Sequence, residues 1–201
     1  MDKQIIISIG REYGSGGHYI AEKLSEEFGI LLLDHNMLDK ISAESGMNLT
    51  EYKQYDESPK KPFLSRTVRG MSSSPEENLA KIQFDYIKEK ADAGISMIIV
   101  GRCADYVLKD NKSLINIFVL GNMKDKVNRI MQVRKMSESE AKKAIASHDM
   151  KRKMYHNNFA DTKWGDSRSY DLCINSSKLG LDQTVDFLKD YITRWAEKLA
   201  V

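Results

Sequence analysis

Glycines 14, 16 and 17 follow the apolar run Ile5-Ile-Ile-Ser-Ile9 and precede Tyr19-Ile-Ala-Glu-Lys-Leu24, whose apolar spacing is helical. A strand, a glycine-dense loop and a helix in that order make a phosphate cradle. Glycine lets backbone N–H groups converge on an anion, and the positive end of the helix adds to the field. The standard pattern G-x-x-x-x-G-K-[ST] is nevertheless broken. With Gly16 as its last glycine, Arg11 stands at the first glycine, Gly17 at the lysine and His18 at the hydroxyl residue. The cradle is retained and its cation is missing. Arg11 is either a surface arginine or the replacement, since guanidinium clamps phosphate bidentately. Ser15 and His18 are the side chains nearest a bound phosphate or its magnesium ion.

Three further groupings could act on a nucleotide. Val100-Gly-Arg-Cys-Ala-Asp105 follows a buried apolar run. At the carboxyl end of a strand, Arg102 can hold a phosphate and Asp105 a base or ribose; the alternative is an Arg–Asp pair capping the next helix. Ser147-His-Asp-Met-Lys-Arg-Lys153, with Lys142 and Lys143, is either a solvated basic helix face or a lid whose cations close over transferring phosphates. Asp34 in Leu33-Asp-His-Asn36 is either a helix N-cap or an acceptor aimed at a substrate hydroxyl or a magnesium-bound water. The histidines at 18, 35, 148 and 156 have no metal-ligand spacing with Cys or carboxylates, so no metal site is expected.

The elements that must position these groups alternate. Ile5–Ile9, Met97–Val100, Ile115–Leu120 and Leu172–Ile174, with Leu31–Leu33 as a fifth, are short runs apolar at nearly every residue, as in strands of a parallel sheet covered on both faces. Helical stripes lie between and after them: Ile20, Ala21, Leu24, Phe28 and Val185, Leu188, Ile192, Trp195, Leu199. Ser74-Pro-Glu-Glu77 and Ser137-Glu-Ser-Glu140 are helix starts with capping serines. The pattern predicts a doubly wound α/β domain. Residues 58–75, with all three prolines and four basic residues, read as a long loop, and 134–168 as a polar stretch before the last strand.

Composition narrows the function. The 201 residues suit one domain; 31 Lys+Arg against 29 Asp+Glu leave a net charge of +2, no basis for nucleic-acid or membrane binding. Two cysteines, Cys103 and Cys173, in separate apolar stretches read as buried reduced thiols. The first residues run into a strand without a charged-then-apolar leader, and no apolar run approaches the ~20 residues of a membrane span. A cytoplasmic protein is expected. Oligomeric state is not legible.

Ile6-Ile-Ser-Ile-Gly-Arg-Glu-Tyr-Gly-Ser-Gly-Gly-His18 should be read together with Leu33-Asp-His35, Val100-Gly-Arg-Cys-Ala-Asp-Tyr106 and Lys163-Trp-Gly-Asp-Ser-Arg-Ser-Tyr-Asp-Leu-Cys-Ile-Asn-Ser-Ser177. Together they resemble the cytidylate kinase-like family of P-loop nucleoside monophosphate kinases. The resemblance implies a five-stranded parallel sheet with helices on both faces, one domain over 1–201, an acceptor-binding insertion at about 35–95 and a lid at about 134–168. It implies transfer of the γ-phosphate of ATP, with Mg2+, to a small nucleotide such as CMP or dCMP. Gly14, Ser15, Gly16 and Gly17 would wrap the ATP phosphates beside His18, and Ser176 and Ser177 would lie by the adenine. Asp34, Arg102 and Asp105 match acceptor-side positions; Asp149 and Arg152 match the lid's Asp-x-x-Arg, with Arg11 and Arg152 supplying charge. Members with the Walker lysine differ at Gly17. A nucleotide-binding regulatory module without turnover, or a kinase for a non-nucleotide molecule, are the alternatives.

Overall fold

The computed structural model describes residues 3–58, 67–68, 71–72 and 74–199. Strands β1 (Ile6–Arg11), β2 (Leu31–Leu33), β3 (Thr67–Val68), β4 (Met71–Ser72), β5 (Met97–Val100), β6 (Leu114–Leu120) and β7 (Leu172–Asn175) appear in chain order. The helices are α1 (Gly17–Phe28), α2 (Met37–Ser45), α3 (Pro75–Asp92), α4 (Ala104–Val107), α5 (Met123–Arg134), α6 (Glu138–Phe159), α7 (Ser176–Leu179) and α8 (Leu181–Lys198). Five strands form one sheet in the order β2-β5-β1-β6-β7, every pairing parallel. The predicted doubly wound α/β sheet is therefore present, with Leu31–Leu33 as one of its two edge strands.

The β-branched run of β1 explains why this strand is central. Ile7 and Ile9 point to one face, against Ile20 and Leu24 of α1 and Leu188 and Ile192 of α8. Ile6 points to the other, against Met37 and Leu38 of α2 and Leu79 and Ile87 of α3. All are nearly inaccessible to solvent, so a continuous apolar run is needed where an exposed strand would alternate.

Two expectations change. Residues 134–168 are largely regular: α6 runs unbroken for 22 residues, started by the reciprocal Ser137/Glu140 capping box. Within 58–75, β3 and β4 pair as a short antiparallel ladder, and Ser74 accepts the Glu77 N–H to cap α3. Residues 59–66, 69–70 and 73, with the four basic residues of that stretch, lie outside the described residues. Both cysteines are free thiols; Cys103 is buried, but Cys173 is only half-buried, because its strand lies at the sheet edge.

Candidate functional site

The carboxyl ends of β1 and β5 carry the site. After β1, Gly14 and Gly16 take left-handed φ values of 82° and 85°. Gly16 caps α1 without a side chain, so the first-turn amides of Gly17, His18 and Tyr19 remain as donors for an anion. The loop is tied down from several elements. The Tyr13 N–H donates to Asp149 Oδ1 at 2.6 Å. Lys126 Nζ of α5, itself 4% exposed, donates to Glu12 Oε2 at 2.9 Å and lies 3.6 Å from Asp149 Oδ2. Arg129 donates to the Gly14 carbonyl. Burial raises the Asp149 pKa, against the opposing pull of the Tyr13 amide and Lys126.

Several hydroxyls expected at the ligand turn inward. Ser15 is fully buried, and its hydroxyl and its N–H both donate to the Glu12 carbonyl, at 2.8 and 3.3 Å, so neither is left for a phosphate. Ser176 Oγ donates to the Ser15 carbonyl at 2.6 Å, and Ser177 Oγ accepts the Asn122 N–H at 2.9 Å. Ser176 thus ties α7 to the loop, and Ser177 ties it to Asn122 at the start of α5. The reason is the short β7–α7 junction, which lies directly under the cradle.

The missing lysine has a steric counterpart. A Cβ added at Gly17 would lie 2.6 Å from the Arg11 Cβ. The Arg11 stem thus fills the space beside position 17. Its guanidinium runs to the far side, where Nη1 and Nη2 donate to Glu57 Oε1 and Oε2 at 2.8 and 3.3 Å.

Glu57 gathers three arginines. Arg102, 2% exposed, contacts Glu57 Oε1 at 2.8 Å and Asp56 Oδ2 at 2.6 Å; Arg152 Nε lies 3.7 Å from Glu57 Oε2. Burial opposes ionisation of Glu57, but the charges of Arg11, Arg102 and Arg152 outweigh it and hold the carboxyl far below its ordinary range. Burial and the like charge of Arg11 push Arg152 down to about 10. Glu57 and Asp56 together stand where a multiply charged anion would be held.

Arg102 and Asp105 do not pair with each other. Asp105 Oδ2 instead meets His156 Nε2 at 2.8 Å. Arg102 Nε, Tyr155 Oη and His156 Nδ1 are buried without partners. The residues of these atoms line a cavity of about 20 Å³ with Glu57, Asp105 and Trp164, room for about one water. On the loop side, Arg11, Gly14, Gly17, Arg129, Arg134 and Arg152 line an open cleft of about 480 Å³, the scale of a nucleotide site.

Asp34 is not the N-cap of α2; Asn36 is. Asp34 Oδ1 accepts the Asn36 N–H at 2.9 Å and Oδ2 meets His18 Nε2 at 2.8 Å. Burial works against the Asp34 charge, while the Asn36 amide and His18 favour it and bring its pKa down. His35 joins the same carboxylate, so folding gathers a His–Asp–His set that spacing along the chain does not reveal. For a magnesium ion carried by a nucleotide, Asp34 is the oxygen donor in this set.

Sequence reasoning thus brought out Arg11, Arg102, Arg152 and Asp149, and folding places them around one loop. It missed Asp56, Glu57, Glu12 and Lys126. Asp56-Glu57 ends a polar turn and carries no motif; Lys126 sits in an ordinary amphipathic helix. Their partners are 23 to 114 residues away in sequence.

Residues 6–178 match the cytidylate kinase-like family. A cytidylate kinase from Pyrococcus horikoshii is 24% identical over 176 residues, covering 87% of this chain and 81% of that protein. An uncharacterized protein from Eubacterium ventriosum superposes with a TM-score of 0.75 at 35% identity, covering 94% and 99% of the two chains. A gluconokinase from Sinorhizobium meliloti (TM-score 0.55, 13% identity, covering 100% and 98%) and a shikimate kinase from Bacteroides thetaiotaomicron (0.55, 11%, 94% and 98%) share the fold. Family and fold support a phosphotransferase, and among the described residues no helix is long and apolar enough to cross a membrane. The chain belongs to the cytidylate kinase-like family.

Proposed function

We propose that the protein transfers the γ-phosphoryl group of ATP, with Mg2+, to a small acceptor that already bears a phosphate, a cytidine or deoxycytidine monophosphate-like nucleotide. The observation that carries this reading is the convergence of Arg11, Arg102 and Arg152 on the half-buried Glu57 carboxylate beside the glycine loop. Three guanidinium groups exceed the two carboxylates, Glu57 and Asp56, that meet them, and they suit a dianionic phosphate.

In this reading the amides of Gly14 and of Gly16 to His18 hold the ATP phosphates. Asp34 offers an oxygen to the magnesium ion or its water, and the adenine lies over the Ser176–Ser177 backbone. Arg102 holds the acceptor phosphate from the insertion side; Arg11 and Arg152 neutralise charge as the acceptor oxygen bonds to the γ-phosphorus and ADP departs. Asp149 positions the loop through Tyr13. Asp105 and His156 meet the polar edge of the acceptor. Since the acceptor-side cavity holds about one water, Glu57 must withdraw before the acceptor enters.

ADP release measured with CMP, dCMP, UMP, AMP, gluconate and shikimate tests the proposal. Turnover confined to pyrimidine monophosphates supports it, and turnover only with an unphosphorylated acceptor overturns it. The glycine at position 17 favours a second reading, a nucleotide-binding module without turnover. Calorimetric ATP binding with no ADP release for any acceptor would establish that instead.

A further inference from the structure

His18, Asp34 and His35 meet at the mouth of the glycine loop in a way that phosphate binding does not require. His18 lies in the first turn of α1, and Asp34 and His35 directly follow β2. The Asn36 amide occupies Asp34 Oδ1, which leaves Oδ2 to His18 Nε2 at 2.8 Å and His35 Nδ1 at 3.1 Å. The ligand atoms of all three residues lie within 4.8 Å of one another. Glu22 Oε2, one helical turn along α1, stands 3.4 Å from the other ring nitrogen of His18. A carboxylate on the far nitrogen of an imidazole fixes the ring and its tautomer in the manner of a metal ligand's outer partner.

The donor types decide which ion suits the cluster. Magnesium requires near-octahedral oxygen and gives up water reluctantly, whereas imidazole favours first-row transition ions. Position 18 is where the standard loop has the hydroxyl that holds magnesium; here it presents nitrogen. A tetrahedral ion with bonds of about 2.1 Å separates its ligands by about 3.4 Å. The observed 2.8 and 3.1 Å therefore need to open by about 0.6 and 0.3 Å, and the two imidazole nitrogens, within 4.8 Å of each other, complete the set. Asp34 is buried, while His18 and His35 are partly exposed and line the cleft, so three ligands come from the protein and the remaining positions face the open side.

We propose that His18, Asp34 and His35 bind a first-row transition-metal dication of the Zn2+ or Co2+ class, in preference to Mg2+. The site exists in the nucleotide-free protein and does not depend on the acceptor or on turnover. Its test therefore fails or succeeds separately from the phosphotransfer reading.

The full chain without nucleotide is titrated with CoCl2, followed by its visible d–d absorption, and with ZnCl2 and MgCl2 by calorimetry. One Co2+ binds per chain, Zn2+ displaces it, and a thousandfold excess of Mg2+ does not. H35A, at an exposed residue that leaves the fold intact, and H18A each weaken Co2+ binding at least ~10-fold, and E22Q weakens it ~10-fold. H148A leaves it unchanged. The proposal is overturned if neither Co2+ nor Zn2+ binds the folded protein. It is equally overturned if H18A/H35A, folded by its thermal melt, binds as the parent does, or if Mg2+ competes at parity.

Discussion

Arg11 and Gly17 occupy one another's space: a Cβ at position 17 would lie 2.6 Å from the Arg11 Cβ and 3.1 Å from its Cγ. The usual loop has glycine at the first of these positions and lysine at the second. Here the large and small residues are exchanged, so a side chain at position 17 and the Arg11 stem exclude one another.

Restoring a side chain at 17 alone therefore fails. Gly17→Ala destabilises the protein by about 1–3 kcal/mol, as overpacking does. The double variant Arg11→Gly/Gly17→Ala recovers part of that loss relative to Arg11→Gly alone, whereas Arg11→Ala/Gly17→Ala, which keeps the offending Cβ, does not. Chemical denaturation of the set measures the coupling; purely additive effects in both pairs would refute the steric account.

Glu57 holds Arg11, Arg102 and Arg152 together. Glu57→Gln leaves three like charges together, so its melting temperature falls. Inorganic phosphate then raises that melting temperature more in the variant than in the parent, and its apparent affinity increases at least ~10-fold because no carboxylate competes. Equal phosphate shifts in the two proteins would show that the arginines do not form an anion site.

The same carboxyl makes stability depend on pH in one direction. Its folded-state pKa lies below the ordinary 4.5, so its contribution is complete above pH 4.5 and is lost as the pH falls toward the folded value. Denaturation midpoints of the parent fall through that acid range, while Glu57→Gln follows a flatter course. A parent and variant with parallel profiles would assign the acid loss to other groups.

Arg152 reaches the end of β1 from α6, with its Nη1 donating to the Arg11 carbonyl at 3.3 Å. Arg152→Ala lowers turnover by ~10³ or more, as expected for a cation acting on transferring phosphate. ATP affinity, which rests on the loop amides, changes far less. A kcat within tenfold of the parent, or a loss confined to ATP binding, contradicts that role.

Lys126 compensates two carboxylates under the loop, Glu12 and Asp149. Lys126→Met keeps the volume but strands both charges, and costs about 3–5 kcal/mol. Adding Asp149→Asn and Glu12→Gln to it recovers stability, whereas a deficit unchanged in the triple variant would point to packing alone.

The sequence by itself determined the strands, the capping serines at 74 and 137 and the strand-to-helix turn, because each depends on neighbours within a few residues. Continuous apolar runs mark strands covered on both faces, and Gly14, Gly16 and Gly17 mark a sharp strand-to-helix turn. It also brought out Arg11, Arg102 and Arg152 one at a time, as cations near strand ends or on a basic helix. Only the tertiary structure joined them, since Glu57 reaches Arg11 and Arg102 across β1, β5 and the segment between β2 and α3. The hydroxyl of Ser176 is likewise a tertiary matter, turned onto the Ser15 carbonyl from 161 residues away, whereas that of Ser15 bonds locally to the Glu12 carbonyl. Charges that act at a distance of a few ångströms through space, and of dozens of residues along the chain, leave no local pattern, so the anion site and the His18–Asp34–His35 cluster appear only once the sheet has brought its strand ends together.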